Sequence, residues 1–210
     1  MPISAEQKEE LTQRILDVAE RQIAENGLAS VSTRSIAREA GCSGGSIYTR
    51  FADFDELVLT VNARALERFG QALDRLQENG PGLSIEERLC AMALAYLDFA
   101  LEQRNSWSAL FEHRMTDGRP LPDWHRQDHL RLFAYIERPL REFDPGLTQT
   151  QAQELARTLY SAVHGIVSLS IEDRLGRVGT ETLRQHITLV LSAIAAGWRQ
   201  TPPSLGLAAI

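Results

Sequence analysis

Between Ser43 and Arg50 the chain gathers four hydroxyl side chains (Ser43, Ser46, Tyr48, Thr49), one guanidinium (Arg50) and two glycines (Gly44, Gly45). Ten residues upstream, Thr33 and Arg34 add another hydroxyl and another cation. These groups donate hydrogen bonds to anionic oxygens and to base edges, and they form no nucleophile–base set of the kind that makes or breaks bonds. Binding chemistry is therefore expected here. Ile47 and Phe51, four apart, form the one apolar side of the stretch, so a helix would leave the polar groups outward.

Two short elements must position these groups. Ser32 caps a first helix whose inward residues are Ile36, Ala37 and Ala40, and Gly41 stands where a left-handed residue would end it. Ser43 caps a second helix through the backbone N–H of Ser46. Two short helices joined by a tight turn read as a helix-turn-helix. Its second helix presents Gly44, Gly45, Ser46, Tyr48, Thr49 and Arg50, small, hydroxylated and basic groups suited to the major groove of DNA.

The run from Ile15 to Leu57 resembles the DNA-binding domain of the tetracycline-repressor (TetR) family. The landmarks are Glu25-Asn26-Gly27 closing a long first helix, Ser32-Thr33-Arg34-Ser35-Ile36-Ala37, Gly41-Cys42-Ser43-x-Gly45-Ser46-Ile47-Tyr48-x-x-Phe51, and Asp55-Glu56-Leu57. They are specific as a set and weak one by one. The resemblance implies that Thr33, Ser43 and Tyr48 bind phosphates and that Gly44, Ser46, Thr49 and Arg50 lie nearest the bases. It also implies an operator-binding homodimer whose bundle takes a small-molecule effector. Gly44 and Phe54 stand where the family often has lysines. Weaker or more salt-sensitive binding is expected from their loss, with Arg34 and Arg50 carrying more of the phosphate contact. Close backbone approach at Gly44 and Gly45 offsets part of it.

The whole chain has 210 residues, 43% of them hydrophobic, and a net charge of −6. That balance argues against a protein that coats nucleic acid indiscriminately. Between Val31 and Ala52, however, Arg34, Arg38 and Arg50 face only Glu39, so this segment is locally basic. Cys42 and Cys90 form no CxxC pair, and no secretory signal or membrane-length apolar run is seen. A reducing cytoplasm is the expected compartment, with Cys42 a small buried packing residue.

In chain order, Ser4-Ala-Glu-Gln7 is a capping box that opens a helix carrying Leu11, Ile15, Val18, Ala19 and Ile23 on one face. Asp53-x-x-Glu56 starts a fourth helix with Leu57, Val61, Ala65 and Leu76. Asn79-Gly80-Pro81-Gly82 reads as a linker. Ser84-Ile-Glu-Glu87 is a second capping box, before a helix with Leu89, Met92, Ala93, Tyr96, Leu97, Ala100 and Leu101 that belongs at the centre of a bundle. A short helix is predicted over about 106–114, then a loop to Pro122. Another helix starts at Asp123, carries Trp124, Leu132, Phe133 and Ile136, and is kinked or ended by Pro139. Long helices over about 148–175 and 180–199 complete the chain before Pro202-Pro203. The expected fold is all-α: a three-helix DNA-binding domain over 1–54 and a helical bundle for effector binding and dimerisation over 55–210.

Small and branched residues on the last two helices (Ala162, Gly165, Ser168, Ser170; Leu191, Ala195, Ala196) suit a four-helix interface between copies. Gly165, costly inside a helix, is read as permitting close approach. Tyr160 with His164-Gly165 resembles a class of family effector domains that has a Trp followed by His-Gly. Tyr96, Phe99, Trp107, Phe111, Trp124, Phe133 and Tyr160, with His113 or His164 as a polar group, are the candidate effector-binding residues, each weighed against ordinary core packing. His125 and His129 invite a metal reading, but two helical ligands are too few for a zinc site, and a solvated polar face is expected instead. No cofactor is expected, nor a small helical enzyme, since no catalytic set is recognisable. The alternative function is a helical protein-interaction or ligand-binding module that has lost DNA binding.

Overall fold

The structure is a computed structural model that describes residues 4–79, 82–172, 176, 178–202 and 204. Its long elements are α1 (Ala5–Asn26), α2 (Thr33–Glu39), α3 (Gly44–Tyr48), α4 (Phe54–Asn79), α5 (Ile85–Glu102), α6 (Arg104–Glu112), α7 (Asp123–Phe143), α8 (Gln149–Ile171) and α9 (Thr180–Gln200). Single 3-10 turns stand at Leu28–Ser30 and Thr116–Gly118. No strand occurs among the described residues, and the fold is all-α as the sequence predicts. None of the described helices is long and apolar enough to cross a membrane. By packing, the chain divides into two compact units, Met1–Arg68 with Glu102–Arg126, and Phe69–Leu101 with Gln127–Ile210.

In the first unit the local signals act as expected. Ser4 and Gln7 close a capping box at the start of α1, and Gly27, at φ 77°, ends the helix by donating its N–H to the Ile23 carbonyl. Ser32 and Ser35 form a reciprocal cap on α2. Gly41, at φ 68°, makes the turn, and Ser43 accepts the Ser46 N–H at 3.1 Å to start α3. Ile15, Ala19 and Ile23 of α1 meet Ile36, Ala37 and Ala40, then Ile47 and Phe51, and finally Leu57 and Val61 of α4 in one core. Cys42, expected to be buried, is only partly so, packed against the rim of this core.

α6 joins the same core through Ala109, which is fully buried. The buried Asn62 amide on α4 donates to the Ala109 carbonyl at 3.2 Å, and Asn105 donates to the Ala24 carbonyl on α1 at 2.8 Å. On the outer side of α1, Arg64 of α4 pairs with Asp17 at 2.7 Å, and Arg68 pairs with Glu20. α1 is thus fastened on one side by apolar packing and on another by ion pairs.

In the second unit, Ser84 and Glu87 cap α5 reciprocally. Leu89, Ala93, Tyr96, Leu97, Phe99 and Ala100 are buried along that helix, whereas Leu101, expected in the core, is exposed. Thr148 and Gln151 form a capping box on α8. Pro139 does not end α7, which runs on to Phe143. A proline removes one ladder bond, and a helix supported on either side can continue past it. Gly80 and Pro81 of the expected linker, residues 173–175 at the expected end of α8, and Pro203 lie outside the described residues.

Because α3 has little more than one turn, Ile47 is its principal anchor. Ile47→Ala is expected to lower the unfolding free energy by about 2–5 kcal/mol. The shift in urea midpoint between variant and wild type measures it.

Candidate nucleic-acid interface

The polar groups singled out in the sequence emerge on one surface of the first unit. Tyr48 is 54% exposed, an unusual state for so large a ring, and its hydroxyl lies 3.3 Å from Thr33 Oγ1. The helix-turn-helix fold thereby brings together two groups separated by 15 positions. Ser43 Oγ lies 2.9 Å from Ser46 Oγ, and Thr49 donates its hydroxyl to the Ser46 carbonyl at 2.8 Å. Arg50 folds back along α3, donating from one Nη to the Ser46 carbonyl at 2.8 Å and to Thr49 Oγ1 at 3.0 Å. Arg34 and Arg38 are exposed on α2. Glu39, the carboxylate of this segment, is engaged by Gln22 and Arg21 of α1, and the Gln22 bond and then Arg21 hold it below the usual carboxylate range.

Gly44 and Gly45 are not demanded by packing. A Cβ on Gly44 would meet nothing within 4 Å, and one on Gly45 would make only ordinary contact with Ser43 Oγ at 3.7 Å. Their small size leaves room for something outside the chain.

The aromatic candidates separate. Tyr96, Phe133, Tyr160 and His164 meet in the second unit. There Tyr96 Oη lies 2.7 Å from His164 Nδ1 and 3.4 Å from Tyr160 Oη, the Tyr160 and His164 rings stack, and Phe133 meets Tyr160 edge-on. Phe99 joins them, and Phe69, absent from the candidate set, completes the cluster. Burial pushes the Tyr160 phenol up, opposed by Tyr96, and pulls the His164 imidazole down, opposed by Glu172. With its proton on Nε2 the His164 imidazole accepts the Tyr96 hydroxyl, and with its proton on Nδ1 it donates to it. Trp107 and Phe111 pair edge-on in the first unit, where Trp124 is exposed beside His125. His125 itself is 1% exposed, so the solvated face expected for it is not found. Trp124 turns outward in its place.

Two family models match the chain. One describes bacterial regulatory proteins of the tetR family and covers residues 15–61. The other, the tetracyclin repressor-like C-terminal domain, covers residues 89–194, just over half of the chain. The chain belongs to the TetR family.

Among curated relatives, HTH-type transcriptional regulators of Mycobacterium bovis and Mycobacterium tuberculosis are each 25% identical over 118 residues, 56% of this TetR-family chain and 48% of theirs. The chain spans about half the length of these relatives. Among solved structures, a protein of unknown function from Rhodococcus sp. RHA1 has a TM-score of 0.70 at 22% identity, covering 86% of this chain and 93% of that one. A TetR variant from Acinetobacter baumannii, crystallised with minocycline, has a TM-score of 0.62 at 18% identity, covering 90% and 96%. At these identities the structural likeness concerns the fold.

Sequence reasoning missed a polar cluster in the first unit of this TetR-family protein. Asp53 caps α4 by accepting the Glu56 N–H at 2.8 Å. Asp55, nearly fully buried, accepts the Thr116 N–H and one Arg119 Nη, each at 2.8 Å, and lies 3.3 Å from His113 Nε2. Arg119 also reaches Asp53. The segment after α6 is thus pinned to the start of α4. Burial alone would raise the Asp55 carboxyl. Thr116, Arg119 and His113 outweigh it, and the group titrates below the usual range. Burial lowers His113 more than Asp55 and Asp53 raise it.

Both shifts act in one direction. A histidine depressed in the fold takes up its proton more readily when unfolded, so its contribution is lost as pH falls below the ordinary histidine value. A depressed carboxyl contributes above its unfolded pKa, and that contribution is lost as pH falls through its folded value. The urea midpoint is expected to decline in two stages on acidification. His113→Gln should reduce the first and Asp55→Asn the second, with Asp55→Asn costing on the order of 1–3 kcal/mol at neutral pH.

Proposed function

We propose that this chain is a ligand-responsive transcriptional regulator, a repressor that binds a palindromic operator as a homodimer and is released by a small-molecule effector. The observation that carries the proposal is the polar face formed by exposed Arg34, Ser43, Tyr48 and Thr49 and half-buried Thr33, Ser46 and Arg50, with Gly44 and Gly45 beside them. Thr33, Ser43 and Tyr48 take phosphates. Ser46, Thr49 and Arg50 approach the base edges, and the glycines let the main chain come close. In this reading residues 1–54 read DNA and residues 55–210 bind effector and pair with a second copy. The Tyr96–Tyr160–His164 cluster supplies polar groups within an aromatic surround, as a small-molecule site needs. The minocycline complex of the Acinetobacter baumannii neighbour supports effector binding by this architecture. An effector acts only so far as it favours one conformation over the other.

Surface composition supports the dimer. Leu191 and Ala195, expected at that interface, are instead buried within the chain, and the exposed stripe on α9 runs through Leu189, 67% exposed, Ala193 and Gly197. On α8, Leu169 and Ala162 are exposed. A Cβ added to Gly165 or Gly197 would meet nothing within 4 Å. Among the described residues nothing makes the close approach expected at Gly165, and a second copy can make it.

The test uses DNA duplexes selected from a random-sequence pool by the wild-type protein. Specific binding that falls steeply with salt and is lost in Arg50→Ala is expected. Failure to enrich any sequence even at low salt would leave the helical module that has lost DNA binding as the reading. Leu189→Arg is expected to convert a dimer to a monomer in sedimentation equilibrium and to weaken binding to the selected duplex by more than tenfold. An unchanged mass would remove the α8–α9 interface.

A further inference from the structure

Lys8 is the only lysine in the chain; all other basic side chains among the 22 Lys and Arg residues are arginines. Its position follows from the geometry of α1, which begins well before the core it covers. Successive residues of a helix are separated by about 100°, so Lys8, seven before Ile15 and three before Leu11, extends the inward stripe toward the N-terminus. The carboxylates of Glu6, Glu9 and Glu10 project from other sides. Where α1 covers the other helices of the first unit the stripe is apolar, with Ile15, Val18 and Ala19 buried, and at Lys8 it becomes charged and exposed.

What lies beside this overhanging turn is the end of the reading helix. Arg50 Nε is 3.5 Å from the Lys8 carbonyl oxygen, and the Thr12 hydroxyl donates to that same carbonyl at 2.9 Å. The Lys8 side chain therefore departs from a backbone position next to Arg50. α3 itself, Gly44-Gly-Ser-Ile-Tyr48, contains no charged residue. Electrostatic attraction for a DNA backbone has to come from its flanks, and a lysine on a flexible stem suits a single phosphate oxygen better than a planar base edge.

We infer that Lys8 is a phosphate-contacting residue of the operator interface, carried by α1 to the end of the reading helix where Arg50 stands. The inference rests on the DNA-binding reading above. It adds an element, the first turns of α1, to an interface otherwise built from α2, α3 and the residues that follow α3.

The test measures salt dependence on the selected duplex for wild type, Lys8→Ala, Lys8→Arg, Arg14→Ala and Arg50→Ala. Neutralising one phosphate contact changes the slope of log Kobs against log[salt] by about 0.9. A bound homodimer carries two copies of Lys8, so Lys8→Ala is expected to make the slope shallower by about 1.8 with sequence preference unchanged, and Lys8→Arg to retain the wild-type slope. Arg14, exposed on another side of α1, should be replaceable without a change. An unaltered slope in Lys8→Ala, or an equal change in Arg14→Ala, overturns the role of Lys8 while wild-type binding and its loss in Arg50→Ala keep the DNA reading intact. No specific binding by wild type overturns both. Lys8→Gln repeats the measurement should Lys8→Ala lose its wild-type melting temperature.

Discussion

Helix α3, the proposed reading helix, is five residues long, far below the dozen or so at which a helix persists alone in water, so its position is set by what Ile47 and Phe51 find beneath it. They find a core shared by α1, α2, α4 and Ala109 of α6. That dependence explains why the local caps, although all present, are not enough. Ser32 and Ser43 decide where α2 and α3 begin, while the direction in which Tyr48 and Arg50 point is decided by the packing of Ile47 against residues far away in sequence. A small displacement of α4 or α6 in this core would be felt at the polar face without any change in the residues that compose it.

The Asp53–Asp55–His113–Arg119 cluster is a second constraint on the same helices. It ties the segment after α6 to the first turn of α4 with charge-assisted hydrogen bonds, and its members are separated by about 60 residues in the chain. Breaking one partner of such a buried group costs more than the pair contributes in isolation, because the remaining charge stays out of water. The tie therefore restricts where the start of α4 can go relative to α6, which is a restriction on α3 as well.

Much of the fold was legible because its signals are local. Capping boxes at Ser4 and Ser84, the left-handed glycines at 27 and 41, and the apolar period of α1 and α5 each act within a few residues. What was not legible is the tertiary use of polar groups. Nothing near Asn62, Asn105 or Asp55 in sequence announces the carbonyl or N–H each one satisfies. His125 looked like part of a polar face because its neighbours Arg126 and Asp128 are polar, yet it is buried. Among the aromatics, composition offered Tyr96, Phe133, Tyr160 and His164 as candidates without showing that their rings meet. It could not separate them from Trp107, Phe111 and Trp124, nor add Phe69, since ring contacts between helices depend on how those helices cross.

The make-up of α3 has a consequence for the kind of site a regulator of this build can recognise. Two of its five residues have no side chain and a third is buried, leaving Ser46 and Tyr48, with Thr49 and Arg50 just beyond. A good bidentate base contact discriminates by about 1–3 kcal/mol, and so few donors can reject only a few wrong letters in each half-site. The remaining selectivity has to reside in the mechanics of the duplex, in groove width and in how readily a base step deforms as glycine main chain presses close. Sites for such a protein would drift in sequence while keeping their stiffness profile and their spacing.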